Sequence, residues 1–243
     1  MVHILSLFVV GTIAGFMNVL AGGGSSLTLP ALILLGLDGA TANGTNRIAI
    51  IIQNIFAVSG FQQNKKNEFG NSLKFAVFTL PGALVGAFVA VNIQDLWFKR
   101  ILSVVIVFVI ISLFLPRPQK QSTDSVNKFY LYLALFGVGF YGGFIQVGVG
   151  FILMATLFHL AKFDLVRVNV YKVFIVLIYT LPALLVFIAS GNVNWLWGVI
   201  LAAGNGLGGW LGAHVTVRKG EGLIKIVLML ALLLMIAKML NLF

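Results

Sequence analysis

Apolar residues fall into ten runs separated by short polar stretches, at about 4–20, 25–37, 46–62, 72–91, 97–115, 129–146, 149–161, 167–189, 194–214 and 222–241. A helix needs roughly 20 apolar residues to cross a bilayer. Two runs, 25–37 and 149–161, are too short for that. Each follows a glycine break, Gly22-Gly23-Gly24-Ser25-Ser26 in the first case and Gly148-Val149-Gly150 in the second. A glycine inside a helix costs roughly 1 kcal/mol against alanine. Unwound backbone at membrane depth survives only where protein or a water-filled cavity satisfies its polar groups. The pattern therefore predicts two half-helices or re-entrant hairpins that present backbone N–H groups to a polar ligand. A flexible turn between helices is the plainer alternative, and the recurrence of the break in both halves speaks against it.

The one long polar linker, Pro116 to Lys128, divides the chain nearly in half. At a shift of 128, Gly11 falls on Gly139, Gly15 on Gly143, Phe16 on Phe144, Asn18 on Gln146 and Gly22 on Gly150. At a shift of 126, Asp38 falls on Asp164, Asn43 on Asn169, Gly82 on Gly208, Gly86 on Gly212 and Lys99 on Lys225. Five segments per copy is an odd number, so the second copy must be inverted. Loop charge agrees with this. Lys65 and Lys66 stand in one loop and no charge in its counterpart at 190–194, while the acidic loop at 92–96 answers to Arg218 and Lys219. Basic loops mark the cytoplasmic side, which puts both termini outside; Lys99 and Arg100 fit this less well. The expected fold is an all-α polytopic membrane protein made of two inverted repeats. Residues 1–115 form the first, 129–243 the second, and 116–128 a cytoplasmic linker.

Composition strengthens the membrane reading. The chain has 243 residues, 60% hydrophobic and only 9% charged, where a soluble domain carries about 25% charged residues. Its net charge of +10 would suggest nucleic acid in a soluble protein. Here the cations sit in short loops and report orientation, so no nucleic-acid partner is expected. No cysteine is present, which excludes disulfides and thiolate metal sites. The first run lacks a basic leader and a small-residue cleavage site, and reads as the first membrane helix. All six acids lie in loops or at segment ends, so no buried carboxylate relay is visible. No hydrolase motif or metal-ligand spacing appears, so neither enzyme activity nor a metal or cofactor is expected.

The polar residues inside the apolar runs carry the candidate chemistry. Ala42-Asn43-Gly44-Thr45-Asn46-Arg47 leads into an apolar helix, with Asn43 or Thr45 suited to cap it. The matching stretch, Val168-Asn169-Val170-Tyr171-Lys172, puts Lys172 opposite Asn46, so each half supplies one cation near a helix start. Two cations, backbone N–H groups from two breaks and several amides suit a small oxyanion. Asn18 and Gln146 each precede the aligned glycines by four residues. Gln53 and Asn54 lie inside an apolar run, where polar side chains face the bundle interior or a cavity. The candidate binding set is Asn18, Gly22, Gly23, Gly24, Ser25, Ser26, Asn43, Thr45, Asn46, Arg47, Gln146, Gly148, Gly150, Asn169, Tyr171 and Lys172.

Gly11, Gly15 and Phe16, followed by Gly22-Gly23-Gly24-Ser25, Pro30 and the Ala42–Asn46 segment, resemble the TauE/SafE family, also described as sulfite exporters. The resemblance covers nearly the whole chain through its duplicated layout, with Gly148-Val149-Gly150 in place of a longer second glycine run. It implies a multi-pass protein of the bacterial cytoplasmic (inner) membrane that moves a small sulfur-containing anion such as sulfite or sulfoacetate, in the export direction. A passive anion channel and a non-transporting accessory subunit are the competing readings. The substrate, coupling ion and oligomeric state are left open.

Overall fold

A computed structural model of the chain describes residues 2–66, 68–114 and 128–239. Among these the protein is all-helical: α1 (Val2–Ala21), α2 (Ser25–Leu34), α3 (Gly39–Gln63), α4 (Phe69–Asn92), α5 (Asp95–Phe114), α6 (Lys128–Phe144), α7 (Val149–His159), α8 (Leu165–Ala189) and α9 (Trp195–Met239). Within the described residues, α1, α4, α8 and the 195–218 part of α9 are long and apolar enough to cross a bilayer. The short helices α2 and α7 have 10 and 11 residues. At about 1.5 Å per residue they reach about half of an apolar thickness of roughly 30 Å. The expected linker lies outside the described residues as far as 127, and Lys128 opens α6.

Two boundaries differ from expectation. The run expected at 46–62 starts at Gly39, because Asp38 is the cap: its carboxylate accepts from the Thr41 N–H at 3.0 Å. Asn43 and Thr45 are therefore helical rather than capping, and both are buried. Asp164 caps α8 in the same way, accepting from the Arg167 N–H at 2.9 Å. The second difference is at the other end of the chain. The turn expected at 215–222 is absent, and α9 runs unbroken for 45 residues. Glycines and charges there lower helix propensity but remove no backbone hydrogen bond, as a proline would.

The helices pack in matching pairs. α1 lies along α9 and α6 along α4, while α3 packs on α9 and α8 on α4. Gly82 and Gly86 of α4 face the carbonyls of Phe136 and Phe140, and Gly204 and Gly208 of α9 face those of Phe8 and Thr12. The α1 and α6 partners correspond at the expected offset of 128. The α4 and α9 partners correspond at 122 (82 to 204, 86 to 208), one helical turn from the expected pairing of Gly82 with Gly208. Glycine recurs every fourth residue at 204, 208 and 212, so a slip of one turn reproduces the same pattern in the sequence.

Contacts at the helix ends set direction. The Asn194 N–H, past the end of α8, donates to Thr45 Oγ1 near the start of α3 at 2.8 Å. Arg167, at the start of α8, pairs with Glu68 past the end of α3 at 2.5 Å. α3 and α8 therefore run antiparallel, with the Asp38 and Asp164 caps at opposite ends of the pair. Most of the core is aliphatic and small, yet its largest fully buried side chain is Arg47.

Candidate functional site

The two breaks meet in the buried interior. After α1 the chain turns at Gly22, whose φ of +91° lies in the left-handed region, and restarts as α2 at Ser25. After α6 it turns at Gln146 (φ +63°) and Gly148 (φ +71°) before α7. A non-glycine residue in that region costs about 1–2 kcal/mol, and such strain gathers at functional sites. Gly22 then meets Gly150. A Cβ on Gly22 would stand 2.5 Å from the Gly150 carbonyl carbon, and one on Gly150 would stand 2.6 Å from the Gly22 oxygen. Neither α2 nor α7 has a side-chain cap. Among the described residues, the N–H groups of Gly23, Gly24, Ser25, Gly148 and Gly150 have no hydrogen-bond partner. Such orphan groups carry the positive end of the helix dipole.

Beside this contact is a small cavity lined by Asn18, Ser25, Asn54, Gln146, Gly150 and Lys172, with Val149 and Val176. Its volume of about 10 Å³ is the room one water molecule needs. Asn18 donates to Gln53 Oε1 at 3.2 Å, and Asn54 to the Ile50 carbonyl at 2.7 Å. Gln146 Nε2 donates to Thr180 Oγ1 at 3.3 Å, while its buried Oε1 has no partner. No Asp or Glu is among the lining residues.

Each buried cation is held by the end of a helix from the other half. Lys172, 2% exposed, donates to the carbonyls of Asn18 (3.0 Å) and Val19 (2.8 Å) near the end of α1, and to Asn169 Oδ1 (2.7 Å). Arg47, 0% exposed, donates to the carbonyls of Gly142 (3.2 Å) and Gly143 near the end of α6. Its guanidinium also lies 4.6 Å from the Phe187 ring centroid. An asparagine supports each cation: Asn43 donates to the Phe144 carbonyl at 2.7 Å and Asn169 to the Leu20 carbonyl at 3.4 Å. The last carbonyls of a helix lack intrahelical partners, and a cation there also meets the negative end of the dipole.

Of the expected residues, Asn18, Ser25, Gln146, Gly150 and Lys172 come together around the cavity. Gly22, Gly23, Gly24 and Gly148 form the turns beside it, and Ser26 braces the first by donating to the Gly23 carbonyl at 2.6 Å. The others bind elements together. Thr45 holds the α8–α9 loop, and Asn46 accepts from Thr28 at 2.7 Å. Tyr171 packs between the rings of Phe75 and Phe163, with centroids 5.7 and 4.8 Å away. Arg47, Asn43 and Asn169 serve the helix ends described above, and Arg47 is not among the cavity's lining residues. Asn54 belongs to the cavity although it is outside the expected set. A signal for it exists, since it stands seven residues after Arg47 and eight after Asn46, on one helical face.

Apolar helices around two broken, uncapped half-helices that meet at a polar cavity define a helical membrane transport protein. The chain belongs to the sulfite exporter TauE/SafE family, which it matches over residues 7–239. It is 29% identical over 238 residues to "Probable membrane transporter protein YfcA" of Escherichia coli K12, covering 96% of this chain and 88% of that one. A "Probable membrane transporter protein" of Haemophilus influenzae is 29% identical over 236 residues, covering 96% and 92%. "Probable membrane transporter protein YunE" of Bacillus subtilis is 25% identical over 256 residues, covering 94% of each. No solved structure matches the chain significantly. The protein is thus a multi-pass transporter of the cytoplasmic membrane.

Proposed function

We propose that the protein exports a small sulfur-containing oxyanion, sulfite or an organosulfonate such as sulfoacetate, by alternating access between two inverted repeats, 1–115 and 129–243. The observation that carries this reading is the meeting of the two glycine breaks beside a cavity lined by Ser25, Asn18, Asn54, Gln146 and Lys172. Hydroxyl and amide groups there can donate to an oxyanion, the Lys172 ammonium adds a positive charge, and the uncapped N–H groups of both breaks add a converging positive potential. Inversion is supported by the antiparallel α3 and α8 and by the matched pairing of α1 with α9 and α6 with α4. A cavity of about 10 Å³ is smaller than an oxyanion, so loading requires the halves to move apart. That closure favours a carrier over a passive channel, which needs a continuous path.

The test is thermal unfolding of detergent-purified protein with sulfite, sulfate, thiosulfate, sulfoacetate, taurine, phosphate and chloride in turn. A bound anion raises stability by mass action, by about 2.7 kcal/mol at a hundred times its dissociation constant. Selective stabilisation by a sulfur oxyanion is expected. Equal response to every anion, or to none at high concentration, contradicts the reading.

A further inference from the structure

Carriers built on broken helices commonly place a coupling cation at the carbonyl end of a half-helix. Here the carbonyl end of α1, the helix that leads into the first break, already holds a cation that belongs to the chain. Lys172 Nζ has three oxygens around it, the carbonyls of Asn18 and Val19 and the Asn169 side chain, at 2.7–3.0 Å. An ammonium has three N–H bonds to give, and these three oxygens, with the Met154 sulfur at 3.5 Å, are enough to occupy them. Arg47 occupies the equivalent end of α6, on the carbonyls of Gly142 and Gly143.

We infer that Lys172 is a tethered counter-cation standing where an inorganic coupling ion would otherwise sit, so that the protein binds and moves its anion without Na+ or another alkali cation. Charge supports this. The cavity beside Lys172 has no carboxylate in its lining, and an alkali ion entering it would meet the Lys172 ammonium in a medium of low dielectric constant. An anion entering the same cavity finds the complementary charge already in place. In the loaded centre the chain's own ammonium then offsets one unit of the substrate's negative charge. Lys172 also joins the two halves of the chain, since it stands on α8 and holds the end of α1. Its bonds to α1 are among those that separation of the halves must stretch. The inference rests on the proposed anion function for its meaning in transport, but its test does not use that function.

Full-length protein in detergent is unfolded thermally in choline chloride, NaCl and LiCl at equal ionic strength. The wild-type midpoint is expected to be the same in all three, and a saturable rise in Na+ or Li+ alone would overturn the inference. Lys172→Met removes the tethered cation and leaves its three oxygens without one. Its midpoint in choline is expected to fall and to be partly restored by Na+ or Li+; a variant as stable as wild type in choline contradicts the role. If Lys172→Met does not fold, Asn169→Ala removes one oxygen and keeps the ammonium. It is expected to lose stability without gaining any alkali-ion response, and such a response would contradict the role. Chloride is constant throughout, so an alkali-ion response overturns this inference alone. A failed anion panel overturns the proposed substrate alone.

Discussion

Gly22 and Gly150 touch backbone to backbone, with room for a Cβ on neither. They are also counterparts, 128 residues apart, at the same offset that relates α1 to α6. In the proposed inverted repeat, a residue that meets its own counterpart lies on the axis relating the two halves. The break in each half would then be the surface against which the other half closes.

Gly22 and Gly36 separate the two demands made on such a glycine. Both have φ above +90°, but nothing lies within 4 Å of a Cβ on Gly36. Gly36→Ala should cost only the left-handed conformation, about 1–2 kcal/mol. Gly22→Ala should add about 1–3 kcal/mol for overpacking. Thermal unfolding of the two variants in one detergent checks the order, and equal losses would remove the Gly22–Gly150 contact from the account.

Arg47 binds the end of α6 and should behave as a structural cation. Arg47→Met leaves the Gly142 and Gly143 carbonyls buried without a donor, at about 1–3 kcal/mol for each unsatisfied group. Arg47→Lys should recover part of the loss, since a point charge replaces a two-pronged fork. Midpoints of unfolding for the pair test this, and an Arg47→Met protein as stable as wild type contradicts it.

Ser25 should show the opposite profile. It is buried and lines the cavity at the start of α2, so Ser25→Ala is expected to cost no more than one ordinary hydrogen bond, about 0.5–1.5 kcal/mol. Its loss should appear in anion affinity, as about tenfold or 1.4 kcal/mol. Titration of the stabilising anion against both proteins measures it, and unchanged affinity would take the hydroxyl out of the site.

The Arg167–Glu68 ion pair joins the start of α8 to the loop after α3, with both side chains about 40% exposed. Glu68→Gln should therefore cost less than about 1 kcal/mol. The difference should shrink further as salt is raised, which unfolding at two ionic strengths can show.

The membrane class, the short second and seventh helices and the central breaks were legible because each has a local cause: run length, or glycine where the chain must turn. Asp38 was missed as a cap because the polar stretch at 43–47 reads as a loop in isolation. Buried between helices, its Asn, Thr and Arg side chains bond to neighbours and the backbone stays helical. The unbroken α9 was missed for a related reason, since Gly220 and Gly222 beside charges resemble a turn without forcing one. Arg47 and Lys172 were found as unusual cations, but their partners were not. Gly142 and Asn18 lie in the other half of the chain, and nothing in the local sequence around either cation points to them.

Transport of a sulfur oxyanion through the cavity between the breaks is tested by efflux of radiolabelled sulfite from proteoliposomes reconstituted with wild-type or Ser25→Ala protein. Saturable efflux is expected for wild type, with competition by sulfoacetate and a weakened apparent affinity for the variant. Efflux no faster than from empty liposomes, or efflux with the same apparent affinity in the Ser25→Ala protein, would contradict it.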